Sequence, residues 1–582
     1  MDRLPDELVI RIFNFLDVAD IVNIQLVSSR YLALGRDDTV WKEECFSHSR
    51  SEARRRRQHL LEIQDARLAE LRFAVTALPG VESMQAARVT ESVQRSRALV
   101  NWDPGYPTEK LDFYQEYMSR HAPVQIGWLN LPNGGAREAT GVGILHSSTA
   151  RHAVAPLDDG SICIWDVSAR TTSSPGGGGG LLGQSAPGLL SALPGKESRA
   201  IMTETGAVEC VSIDSSSRKG YFAVLDQLHE INLDTLQLLS SKKYPWPITA
   251  LSSSDPQNPL AIGTNNTIHL YDPRDPIFAS SNTSTGELIG GSPYSHAILP
   301  QPGPLSILNT LDGDSLYVAG RFTSILHFSR RFFPRLLGTT FSGARIAALA
   351  LFPHPFIPRE LDLVRNPALT ISEYTTAKSL PGSTLLAAAE YKGKGSLELY
   401  SLSTGNKFYH NRQTASASKL LSIANHGGKI VISDGDGNLR WFERDGSSHI
   451  RTFNIQDSTP KPSASAPTGG GIWHNDNNIP GQGDIVQKIL PLPHSSSPSV
   501  DERPDIGTDN LLLWTGDGRL GILGFGHRDP LGENRGIVEG EVKSTAQKAK
   551  EDAERSYEGA MRRALERNAD EVRFVRGLGM GY

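Results

Sequence analysis

Residues 152–165 read "HAVAPLDDGSICIW". A small-and-apolar run leads into Asp158, Asp159 and Gly160, and a second run climbs out to end on Trp165. Two short strands joined by a tight Asp-Gly turn explain that order, because glycine tolerates the backbone angles such a turn demands. The second half recurs along the chain as "NNTIHLY" ending at Tyr271, "FTSILHF" at Phe328, "KGSLELY" at Tyr400, "DGNLRWF" at Phe442 and "DGRLGIL" at Leu523, with a weaker copy, "QLHEINL", ending at Leu233. Before each lies another apolar run: "YFAVL", "LAIG", "LYVAG", "LLAAAE", "KIVIS" and "LLLWTG". One hairpin cannot bury both of its faces, but stacked blades can, so a strand–turn–strand unit met seven times predicts an all-β propeller of about seven blades. The segment "APVQIGWLNL" at 122–131 is expected to supply the strand that closes the ring with the last blade.

The copies resemble WD repeats in "IWDV" at 164–167, in "LYDP" at 270–273 and in the Asp-Gly turns at 159–160, 436–437 and 517–518. They depart from that family in lacking the Gly-His opener, and several lack the closing Asp. Blade spacing is uneven. The excess falls in "SSPGGGGG", in the Pro-rich 353–382 segment and in 457–484, compositions that predict disordered loops within a propeller over 122–530. Beyond it, 541–576 carries a modest helical stripe of Tyr557, Met561, Ala564, Leu565 and Val572, which predicts a C-terminal helix packed on the propeller.

The first 48 residues follow a different rule. In "LPDELVIRIFNFLDVADIVNIQLVSSRY", residues 4–31, Pro5 suits the first turn of a helix and Asp6 and Glu7 favour its positive end. Leu8, Ile12, Phe15 and Leu16 follow at helical spacing, Asp20 is placed to cap a second helix carrying Ile21, Ile24, Leu26 and Val27, and Thr39–Phe46 predicts a third with Trp41. So small a unit holds more apolar side chains than its own core can hide. Leu4, Pro5, Leu8 and Ile12 gather toward one end, where a partner or the rest of the chain would cover them.

The order Leu4-Pro5, Glu7-Leu8, Ile12, Leu16, Asp20-Ile21, Val27, Ser29-Arg30, Tyr31 and Trp41 resembles the F-box motif, with Tyr31 where that family usually has Trp. The resemblance implies a surface for the Skp-type adaptor and, through it, a cullin ubiquitin ligase. The contacts it implies are Leu4, Pro5, Leu8, Ile12, Leu16 and Val27, with Tyr31 and Trp41 supporting the fold. Residues 49–121 read as a helical spacer that sets the distance to the propeller; its "RRRR" at Arg54–Arg57 reads as a solvated helix face in preference to a nuclear localisation patch, and "NWDP" at 101–104 has no strand before it.

Charges at Asp2, Asp6, Glu7, Arg11, Asp17 and Asp20 exclude a signal peptide or an anchor for the opening stretch, since each would cost roughly 2.5–3.5 kcal/mol in hydrocarbon. A net charge of −5 gives no pull toward nucleic acid or anionic lipid, and Cys45, Cys163 and Cys210 form neither a CxxC pair nor a disulfide framework. The expected setting is therefore a reducing one, cytoplasmic, nuclear or both. The glycine run at 176–180 lacks the Gly-Lys-Ser/Thr of a phosphate loop, and "DGDGN" at 434–438 has Leu439 where a calcium loop needs glycine. No catalytic or metal-binding spacing is present, so no cofactor is expected. Arg321, at the end of the second strand of its blade, is the one side chain placed like the phosphate-reading arginines of WD-repeat F-box proteins. Arg218, Arg274 and Arg345 would join it only if loops turned them inward.

The whole sequence thus predicts a non-catalytic substrate receptor whose propeller holds an unidentified target protein. The same residues also allow an adaptor complex without ligase activity, or a propeller scaffold with a helical cap.

Overall fold

The computed structural model describes residues 4–64, 84–132, 137–167, 180–190, 210–254, 260–271, 296–458, 485–492 and 510–525, with short gaps at 108, 110, 148–149, 311–312, 363–365, 367–368 and 403–406, together with 527–528 and 534–535. The expected helix at 541–576, Arg274, and nearly all of the inserts at 173–180 and 457–484 lie outside the described residues.

Four short helices open the chain: α1 (Asp6–Phe13), α2 (Val18–Ile24), α3 (Ser29–Leu34) and α4 (Asp38–Ser47). α2 begins one turn earlier than its expected cap, with Asp17 rather than Asp20 in the extended capping conformation. Leu26 and Val27 fall in the turn after it, and Ser28 caps α3 by accepting from the Tyr31 amide. Then come α5 (Arg50–Gln64), α6 (Met84–Asn101) and α7 (Phe113–His121).

The rest is a ring of seven four-stranded antiparallel sheets. Six blades use consecutive strands. The first runs β2 (Gly143–His146), β3 (Arg151–Pro156), β4 (Ile162–Asp166), β5 (Leu181–Gln184), and the second β6 (Val211–Asp214), β7 (Lys219–Val224), β8 (Gln227–Asn232), β9 (Gln237–Lys243). The third runs β10 (Ile248–Leu251), β11 (Ala261–Thr264), β12 (Thr267–Leu270), β13 (His296–Ile298), and the fourth β14 (Pro304–Asn309), β15 (Ser315–Gly320), β16 (Ser324–Ser329), β17 (Leu336–Phe341). The fifth runs β18 (Arg345–Phe352), β19 (Thr384–Tyr391), β20 (Lys394–Ser401), β21 (Phe408–Ser416), and the sixth β22 (Leu420–His426), β23 (Lys429–Asp434), β24 (Asn438–Phe442), β25 (His449–Asn454). The seventh joins β26 (Val486–Pro491), β27 (Leu511–Thr515) and β28 (Leu520–Phe525) to β1 (Val124–Trp128), which pairs with β28 in the register Ile126↔Leu523. The chain closes the ring at the segment the sequence singled out, and closure removes the open edges a linear array would leave.

Each recurring heptapeptide is the third strand of its blade, and the run before it is the second. Their closing residues, Trp165, Leu233, Tyr271, Phe328, Tyr400, Phe442 and Leu523, are all buried. Burying a large apolar side chain contributes about 1.5–3 kcal/mol, which is why the motif keeps its size at that position. Trp165 and Trp514 also satisfy their indole N–H groups on the Asn130 and Ala139 carbonyls, at 3.0 and 2.9 Å. At "DGDGN" the Asp434 carboxylate accepts the Asp436 and Asn438 amides at 3.0 and 2.9 Å, the chemistry of a blade turn.

The Pro-rich 353–382 segment is not the unstructured loop its composition predicts. It holds a 3-10 turn at Arg359–Leu361 and α8 (Ile371–Ser379), whose Thr370 and Glu373 form a reciprocal capping box. Lys378 near the end of α8 is buried against the spacer, a tertiary contact that local composition does not report.

Candidate functional site: the helical unit and its seat on the propeller

α1 has two apolar faces. Val9 and Phe13 are buried, whereas Leu8 and Phe15 are exposed and Ile12 is half-buried. The expected single stripe is therefore split: residues at i, i+4 and i+7 from Val9 (Phe13, Leu16) point inward, and those from Leu8 (Ile12, Phe15) point outward. The inward face joins Ile21, Val22, Tyr31, Val40 and Trp41 in one core. That core is completed from outside the first 48 residues, by Tyr114, Tyr117, Met118 and Ala122 of α7 and its end. Trp41 is fully buried, sits 5.0 Å from the Tyr114 ring and 5.1 Å from the Tyr117 ring, and donates its indole N–H to the Gly35 carbonyl at 2.7 Å.

The residues expected to meet an adaptor divide accordingly. Pro5, Leu8 and Val27 are exposed, while Leu4, Ile12 and Leu16 are half-buried, with Leu4 and Leu16 packed on the core. Arg30 binds them into one surface: it pairs with Asp6 at 2.6 Å and donates to the Leu4 carbonyl at 2.5 Å, which holds the Val27–Arg30 turn beside the start of α1. The structure adds Phe15, 83 % exposed, Leu26 and Leu32 to this apolar surface. Helical phase alone would have found Phe15; Leu26 and Leu32 depend on where the turn between α2 and α3 falls.

Ion pairs join α7, at the base of the helical unit, to the propeller. Glu116 and Lys429 meet at 2.6 Å, Lys429 also donates to Ser119 Oγ at 2.8 Å, and Arg120 bridges Glu116 (2.7 Å) and Glu443 (2.5 Å). Two carboxylates and two cations make a neutral group, with Glu116 and Lys429 buried and Arg120 and Glu443 at its half-buried edge. Burial alone would raise the Glu116 carboxyl, but Lys429 and Arg120 beside it hold it at about 2. A second cluster works the same way: Glu109 accepts both Arg444 guanidinium N–H groups at 2.5 Å and lies 2.5 Å from His354 Nε2. Burial pushes Glu109 up, yet His354 and Arg444 beside it bring it down to about 2. Gly428, at φ +74°, makes room for Arg444, because a Cβ there would collide with the guanidinium. Arg451 donates to the Ser119 and Ala122 carbonyls, Lys378 to those of Asp103 and Gly105, and Arg50 pairs with Asp445 at 2.7 Å. In "RRRR", Arg55 and Arg56 clasp the buried Glu52 carboxylate rather than facing solvent alone.

These contacts lie at one end of the ring. His354 and Lys378 follow the first strand of the fifth blade, Gly428 lies between the first and second strands of the sixth, and Glu443 and Arg444 between its third and fourth. The cavity of about 440 Å³ between spacer, α8 and blades, walled by Trp102, Tyr106, Phe356 and Tyr374, is on that side. The second-to-third-strand turns and the connections between blades face the other way. Arg321 is there, exposed, its amide on the Gly303 carbonyl at 2.9 Å, and Arg345 opens the next blade on the same side. Arg218 is not with them: it lies between first and second strands and pairs with Asp234. Among the described residues no group of three or more His, Cys, Asp or Glu could hold a metal ion, and no helix is long and apolar enough to cross a membrane.

A family model described as F-box-like matches residues 1–47. That domain followed by a seven-bladed propeller fits a protein of the F-box/WD-repeat kind. No curated protein matches the chain. F-box domains generally bind a Skp adaptor, propellers generally bind proteins, and the pairing of the two is typical of non-catalytic substrate receptors.

Proposed function

We propose that this chain is the substrate-recognition subunit of a Skp–cullin–F-box ubiquitin ligase, working in the cytoplasm, the nucleus or both. The observation that carries the reading is the apolar surface of Leu8, Phe15 and Val27, left uncovered after α7 has completed the core beneath it. A water-facing surface of that kind marks a docking site. Leu4, Pro5, Ile12 and Leu16 border it and complete the proposed contact with the adaptor.

The target would dock on the opposite end of the ring, where Arg321 and Arg345 offer guanidinium groups. Catalysis is then proximity: the receptor raises the effective concentration of target lysines near the charged ubiquitin carrier and supplies no reactive group of its own. The ion-paired seat between helices and propeller makes that distance a fixed one. Reconstitution with the adaptor, a cullin and a charged carrier tests the ligase reading without knowledge of the target. Wild-type chain should acquire ubiquitin on its own lysines, and Leu4→Ala with Pro5→Ala should not; a chain that stays unmodified, or a variant modified equally, overturns it.

A further inference from the structure

Among the described residues the outer strand of each blade pairs on one side only, and the protein treats these edges differently. β9 carries Lys242 and Lys243, β21 carries Arg412, and β25 carries Arg451, which is bonded to the end of α7. Charges of this kind discourage a further strand. β5, β13 and β1 have only four, three and five residues. Among described outer strands of six residues or more, β17, "LLGTTF", alone has no charged residue. Both its faces are wet: Leu336 and Leu337 are exposed and Phe341 is 74 % exposed.

The turn leading into it is "RRFFPR", residues 330–335, with Phe332 66 % exposed. Arg331 pairs with Asp314 at 2.8 Å and Arg330 donates to Asn309 Oδ1. The turn that leads into Leu336 thus carries three arginines, Arg330, Arg331 and Arg335, in six residues.

The ladder shows which amides β17 offers. Ser342 donates to the Thr323 carbonyl, and Thr340 stands opposite Ile325. In an antiparallel pair alternate residues turn their N–H groups inward, so Thr340 follows Ser342 inward while Thr339 and Phe341 point away from the blade.

We propose that β17 is a docking strand on the propeller's rim, which takes an extended segment of a partner protein as an antiparallel fifth strand of the fourth blade, apolar along its length and acidic at its C-terminal end. Main-chain bonds to Thr339 and Phe341 supply the pairing, Leu336, Leu337 and Phe341 the apolar contact, and the arginines at 330–335 fix its direction. The strand lies on the outer rim, running from the helical end of the ring at Arg335 toward the end that bears Arg321, where Ser342 donates to the Thr323 carbonyl.

The test uses the full chain and a fluorescein-labelled peptide of alternating valine and threonine ending in two glutamates, followed by fluorescence polarisation. Saturable binding is expected. Thr339→Pro removes an outward amide without touching the existing ladder, and Leu337→Lys adds the charge other rims carry; each should weaken binding by about tenfold or more, with melting temperature and adaptor binding unchanged. A peptide ending in two lysines should bind less well than the glutamate one. No saturation up to about 1 mM peptide, or equal binding by both variants, overturns the proposal. So does sedimentation with phosphatidylserine vesicles that survives Thr339→Pro and is lost in Phe332→Ala, which would make the rim a lipid contact. A two-chain mass in solution that Thr339→Pro reduces to one would assign the edge to a second copy instead.

Discussion

Glu116 and Lys429 are 313 residues apart in the chain and 2.6 Å apart in the fold. Both are buried, and neither sits in a pattern that periodicity can read: Glu116 looks like an ordinary charged position on a short helix, and Lys429 like the polar start of "KIVIS". That is why the apolar surface of the helical unit was legible and the seat was not. The first follows from local order, the second from pairing across the whole chain. Taking away one partner of a buried pair leaves an uncompensated charge, at a cost of roughly 3–5 kcal/mol, whereas replacing both with apolar groups is often neutral. Lys429→Met should therefore lower the melting temperature sharply, and Glu116→Leu added to it should recover much of the loss. The same groups set a pH window. Glu116 and Glu109 are held at about 2 against an ordinary 4.5. A depressed carboxyl stabilises the folded state fully above its unfolded value and loses that contribution as pH falls through the folded one. Melting curves should fall steeply between about pH 4.5 and 2; a curve that stays flat through that range contradicts the ion-pair account.

Among the elements, the strands the sequence revealed are those with a dry face. The second and third strands of each blade bury their side chains, so alternation and a large closing residue show through. Outer strands such as β9 and β17 are wet on both sides and read as loops, which is why seven units were visible but not four strands in each. α7 is the other element whose role was hidden. Its Tyr114 and Tyr117 resemble spacer residues in sequence, yet they close the core around Trp41. Trp41→Ala should remove about 3–5 kcal/mol from the helical unit, because the cavity lies between two elements that cannot both collapse into it. Two-step melting followed by circular dichroism would show an earlier helical transition and an unchanged propeller transition. A single unchanged transition would mean that α7 does not hold the helical unit together.

At the scale of the molecule, helices and propeller form one body with two ends. The apolar surface of α1 and the α2–α3 turn belongs to the helical end, and the inter-blade connections with Arg321 belong to the other. β1 follows α7 after two residues and closes the ring against β28, so the seat of the helices and the closure of the propeller share one stretch of chain. Sequence order supplied the two halves and even the closing strand; what it lacked was their relative placement, which depends on contacts between residues such as Glu109 and Arg444. The claim on which the functional account rests is adaptor docking on the helical end, and calorimetric titration of a recombinant Skp-type adaptor into the full chain measures it. The account predicts saturable one-to-one binding, with Leu8→Asp and Val27→Asp each costing about 2 kcal/mol or more while the propeller melts as before. Absence of saturable binding to the folded wild-type chain, or undiminished binding by both variants, would contradict it.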